Sequence, residues 1–84
     1  MKQAYIIERD EALHALAEMH KDWRYWATAA EDATGTAQEE TLCYMAHTSF
    51  NELEGAVHFL VSMGMFDSWT EAIDAASTYA YRHL

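Results

Sequence analysis

Residues 38–63, QEETLCYMAHTSFNELEGAVHFLVSM, decide the fold. The stretch holds no proline and a single glycine, and at about 100° per residue it sorts into two halves. Leu42, Cys43, Met45, Ala46, Ser49, Phe50, Leu53, Ala56, Val57, Leu60, Val61 and Met63 fall on one half. Glu40, Tyr44, His47, Asn51, Glu54 and His58 fall on the other. Ser49 is the only polar member of the apolar half, where a small hydroxyl can bond back to its own helix. This is a strongly amphipathic helix, and the rest of the chain must cover its wide apolar side.

Working outward toward the N-terminus, Ala12, Leu13, Leu16, Met19, Trp23, Trp26, Ala27 and Ala30 recur at threes and fours. That spacing predicts a first helix over about 8–33, ended by Thr34 and Gly35. Thr36-Ala37-Gln38-Glu39 fits a capping box, in which threonine and glutamate each satisfy a free backbone N–H. The second helix is therefore expected over 37–63, joined to the first by a very tight turn as an antiparallel hairpin. Gly64 stops it. Ser68-Trp69-Thr70-Glu71 is a second box and opens a third helix over 69–83, with Trp69, Ala72, Ile73, Ala76, Tyr79 and Ala80 inward and Phe66 stapled before it. Residues 1–7 carry Tyr5, Ile6 and Ile7 but have no second strand to pair with, so they are expected to extend the first helix or form an arm. The expected architecture is all-α: one domain over 1–84, an antiparallel three-helix bundle with two long helices in a hairpin and a shorter third.

Composition agrees with this. The 84 residues include no proline and only three glycines, which suits long helices better than a turn-rich β protein. At 51% hydrophobic, the chain is not disordered by composition. Cys43 is the lone cysteine, which excludes an intrachain disulfide and makes a reducing, cytoplasmic setting the expectation. The start, MKQAYIIERDE, does not read as a signal peptide, and no apolar run approaches the roughly 18–20 residues that span a bilayer. A soluble protein is expected.

Charge is unevenly placed. The net charge is −9, yet residues 1–24 are nearly balanced, with five acids and four bases. Residues 25–81 hold nine acids and no lysine or arginine. Such a surface repels nucleic-acid phosphates, since it has almost no cations with which to displace their counterions. It would attract a basic protein surface, including one that itself binds nucleic acid.

The helices are also unequal in length. A short third helix, folded back along the second, is expected to cover residues 50–63 and the early half of the first helix. The hairpin end, with Trp23, Trp26, Ala27, Ala30, Leu42, Cys43 and Ala46, is left open on one side. Apolar surface costs about 25 cal/mol per Å² in water, so a seam with two tryptophans invites another chain. Trp23-Arg24-Tyr25-Trp26 is also the densest cluster of the residue types enriched in binding hot spots.

Five histidines raise a metal hypothesis. Glu54 with His58, and His14 with Glu18, are spaced i, i+4 and could each place two ligands on one helix face. No third ligand joins either pair, and the inward faces lack the carboxylate–histidine sets of a di-iron bundle, so no metal and no cofactor are expected. His20, between Leu16 and Trp23, and His83, at the end of the third helix's stripe, read as packed histidines with a satisfied nitrogen, a pH-sensitive contact being the alternative. Cys43 has acidic and apolar neighbours rather than the cations that depress a thiol pKa. There is no phosphate loop, serine elbow or buried carboxylate pair, so no catalytic residues and no enzyme are expected.

These features point to a non-enzymatic interaction module, an inhibitor or regulator of a basic, nucleic-acid-binding protein. The expected binding residues are Trp23, Tyr25, Trp26, Cys43, Tyr44, Glu39 and Glu40, with no direct contact to nucleic acid or membrane. In size, acidity and helicity the chain resembles small phage-encoded inhibitors of host defence, immunity proteins and antitoxins, a likeness of bulk property alone. A homodimer that closes the Trp23/Trp26 seam is the alternative, and a His/Glu metal binder the third.

Overall fold

The computed structural model describes residues 8–84; the expectation for residues 1–7 lies outside the described residues. The described residues form α1 (Arg9–Asp32), α2 (Glu39–Ser62) and α3 (Trp69–His83), with no strand among them. At about 1.5 Å per residue, the 24-residue α1 and α2 are each about 36 Å long and the 15-residue α3 about 22 Å.

The connections follow the stop signals, with one shift. α1 gives way to a β-turn closed by the Thr36 N–H on the Ala33 carbonyl at 2.8 Å, with Gly35 inside it at φ 84°. The expected box at Thr36 and Glu39 forms in a displaced version. The Thr36 hydroxyl donates to the Ala33 carbonyl at 2.6 Å and accepts from the Gln38 N–H, while the Glu39 carboxylate accepts from the Gly35 N–H at 3.0 Å. These bonds hold residues 36–38 in the turn, so α2 begins at Glu39 rather than at 37.

α2 closes with a Schellman arrangement. The Met65 N–H reaches the Leu60 carbonyl and the Gly64 N–H the Val61 carbonyl, both at 3.0 Å, with Gly64 at φ 82°. Ser68 then caps α3 as expected, its hydroxyl accepting from the Glu71 N–H at 3.1 Å. The Glu71 carboxylate returns to the Asp67 N–H at 2.7 Å. Arg9 ties the start of α1 to this corner: its guanidinium donates to the Met65 carbonyl at 2.7 Å and lies 4.6 Å above the centre of the Phe66 ring.

The core sits at one end of the molecule. Ala12 and Leu16 of α1, Leu53, Val57 and Leu60 of α2, Phe66, and Ala72 and Ala76 of α3 form one buried cluster. α3 lies chiefly on α1 and touches α2 far less, where the sequence suggested a path back along α2. The fully buried Ala72 and Ala76 are small enough to seat α3 closely at this core. Two residues expected inward are open to solvent, Trp69 at the first position of α3 and Met63 at the end of α2. Both stand at helix ends, where a neighbouring element covers only part of the face.

Candidate functional site

α3 runs out before α1 and α2 do. Leu84 lies beside Glu18, Lys21 and Asp22 of α1, so from Trp23 to the turn the hairpin continues without a third helix. Along this stretch runs an open groove of about 390 Å³, lined by Trp23, Ala27, Ala30 and Glu31 of α1 and by Cys43, Ala46, His47 and Phe50 of α2.

Aromatic rings form one end of the groove. The Trp23 and Phe50 rings meet at a centroid distance of 5.5 Å, tilted by 55°. His20 stands edge-on to Trp23 at 5.5 Å, and the Arg24 guanidinium lies 6.0 Å from the centre of the indole. Burial, and then the Arg24 charge, hold His20 below the ordinary histidine value of 6.5. The imidazole therefore takes up a proton less readily than an exposed histidine.

The periodicity of α2 explains why the groove is apolar inside and acidic along its α2 rim. Three rows run along this helix at seven-residue spacing, drifting by only about 20° per step. Ala46, Leu53 and Leu60 face inward. Beside them run Cys43, Phe50 and Val57, and beyond those Glu40, His47 and Glu54. Val57 is fully buried at the core end, whereas Phe50 and Cys43 on the same row are half-buried. The face does not change along the helix. What changes is the cover.

The expected binding residues separate. Trp23 and Cys43 line the groove, and Glu40 is exposed on its α2 rim row. Trp26 does not line it. It stands about 60° round α1 from Trp23, which carries it to the other flank of the α1–α2 contact. There it is half-buried and meets the exposed Tyr25 edge-on at 5.1 Å. The single seam expected around both tryptophans is thus two surfaces, divided by the line along which α1 and α2 touch. Tyr44 is 69% exposed and lies outside the groove lining. Glu39 is half-buried with its carboxylate engaged at the Gly35 N–H, so it serves the turn. His47 and Glu31 are groove residues that the sequence reading passed over; the Glu40–His47–Glu54 row was the signal for the first.

The histidine pairs occupy other surfaces. His14 Nε2 lies 3.6 Å from Glu18 Oε2, and His14 Nδ1 lies 3.4 Å from the Tyr79 hydroxyl, with their rings edge-to-face. His83, expected to be packed, is exposed and rests on Tyr79 at a ring-centroid distance of 4.4 Å. On α2, Glu54 is half-buried and His58 exposed. Among the described residues no three His, Cys, Asp or Glu side chains are grouped as an ion site requires, and no helix is long and apolar enough to cross a membrane. Chemically, the groove offers an apolar floor, small residues that permit close approach, and carboxylates at its edges.

Comparison of the chain with protein-family models, curated proteins and solved structures finds no match.

Proposed function

We propose that this chain is a non-enzymatic interaction module that inhibits or regulates a basic, nucleic-acid-binding protein by docking it at the hairpin end. One observation carries the reading: an apolar groove with aromatic rings at one end lies open, and past Arg24 at that aromatic end both of its walls belong to a stretch of chain, residues 25–81, that has nine acids and no lysine or arginine. Apolar area supplies affinity, and like charge excludes acidic competitors and nucleic acid itself. A reducing cytoplasm suits the half-buried thiol of Cys43. Immobilised protein should retain basic proteins from its source cells and release them near 0.5 M salt, where the Debye length falls to about 4–5 Å. Ala27→Trp, which fills the groove from its α1 wall, should retain none while keeping its helical circular dichroism. Equal retention by the two proteins, or retention indifferent to salt, would refute the reading.

The half-exposed Trp23–Phe50 pair also favours a second reading, a two-fold dimer that covers both grooves at once. Such a dimer sets two chains of net charge −9 against each other and should tighten as salt rises. Sedimentation at micromolar concentration, at low and high salt, separates the two readings.

A further inference from the structure

The groove has a definite size and a definite charge pattern. Trp23 to Ala30 on one wall and Cys43 to Phe50 on the other are each eight residues, seven steps or about 10 Å of helix axis. Two turns of a guest helix, presenting apolar residues at i, i+3, i+4 and i+7, match that length. Ala27, Ala30 and Ala46 let its backbone come close, as Ala72 and Ala76 do where α3 joins the core. The α2 flank is acidic, with Glu40 and Glu54 bracketing the groove residue His47 on one seven-residue row, while the α1 flank carries Arg24 at the aromatic end and Glu31 one row-step nearer the turn. In helix–helix seams the flanking positions choose the partner by charge.

Resting on the interaction reading above, we infer that the occupant is a single amphipathic helix of a basic protein. Its apolar stripe lies in the groove between Trp23 and Cys43, and its lysines or arginines lie against Glu31, Glu40 and Glu54. The guest does for the hairpin end what α3 does for the other end. It completes a three-helix cross-section.

Cys43 gives a readout confined to this site, because it is the only cysteine and stands in the groove wall. Two synthetic peptides of about 20 residues, long enough to hold a helix, share one leucine stripe and differ only in flanks of lysine or glutamate. At ten times its Kd the lysine peptide should slow alkylation of Cys43 by a neutral maleimide roughly tenfold, and added salt should reverse this. The glutamate peptide should protect little. The double variant Glu31→Lys/Glu40→Lys, altered only on the groove's rim, should exchange the two preferences.

Equal protection by both peptides, no protection by either, or an unchanged preference in the double variant overturns the inference. Alkylation that slows with protein concentration alone overturns it in favour of a second copy. If a basic partner is retained in a salt-dependent way while Cys43 stays fully reactive, the helical guest is wrong and the interaction reading stands.

Discussion

Leu53 and His20 show how the same helical faces meet different surroundings. Leu53 has no exposed surface and packs within the cluster of α1, α2 and α3 residues. Leu53→Ala removes its transfer energy and leaves a void between three elements, at a cost of about 2–5 kcal/mol. Against a typical total of about 5–15 kcal/mol, that should shift the urea midpoint far. A loss under about 0.5 kcal/mol would mean that the site collapses freely. His20 lies farther along α1, partly covered and edge-on to Trp23. Its pKa is depressed in the folded chain, first by burial and then by Arg24, so the unfolded chain binds the proton more readily. Its stabilising effect is complete above the unfolded value of 6.5 and is lost as pH falls from there through the depressed folded value. The thermal midpoint of the native protein should therefore drop between about pH 7 and pH 5.5 by more than that of His20→Gln, which has no such proton to bind. Parallel pH profiles would show that His20 exerts no such effect.

At the scale of elements, two glycines near the end of α2 have opposite requirements. Gly55 lies inside the helix, exposed, with nothing within 4 Å of the place a Cβ would occupy. Gly55→Ala should stabilise the protein by about 0.5–1 kcal/mol through backbone entropy. Gly64 has equally open surroundings but stands at φ 82°. Gly64→Ala should cost about 1–2 kcal/mol, the penalty of left-handed backbone for an L-residue. Thermal denaturation of the two variants checks both signs. Since neither change meets a steric obstacle, the difference between them isolates what the Schellman closure requires of the chain.

For the whole molecule, the decisive feature is that the buried cluster is gathered at one end. Native-state hydrogen exchange should be slowest for amides near Leu16, Leu53 and Val57, where opening requires the core to break. Amides from Ala27 of α1 round to Cys43 of α2 should exchange faster, through local opening of the hairpin end. Uniform protection along both long helices would show that the hairpin is one cooperative unit. Binding in the groove should slow exchange at the hairpin end selectively, because a guest there supplies the third side that α3 does not reach.

The helices, their order and most of their ends were legible in the chain because those signals are local. Apolar spacing in residues 38–63, the Ser68–Glu71 box and the stop at Gly64 act over a few residues and need no partner. The shorter third helix, and hence an uncovered hairpin end, followed from counting residues. Three things were decided only by tertiary structure. α3 settled on α1 more than on α2. Trp26 was parted from Trp23. His47 and Glu31 came to border the groove. Each depends on how far one helix is rotated about its axis against another, and a rotation of some tens of degrees leaves the apolar stripe inward while moving a flanking tryptophan from one side of the seam to the other. Hydrophobic patterning determines that two faces meet; side-chain packing along the contact determines which flank each neighbouring residue occupies.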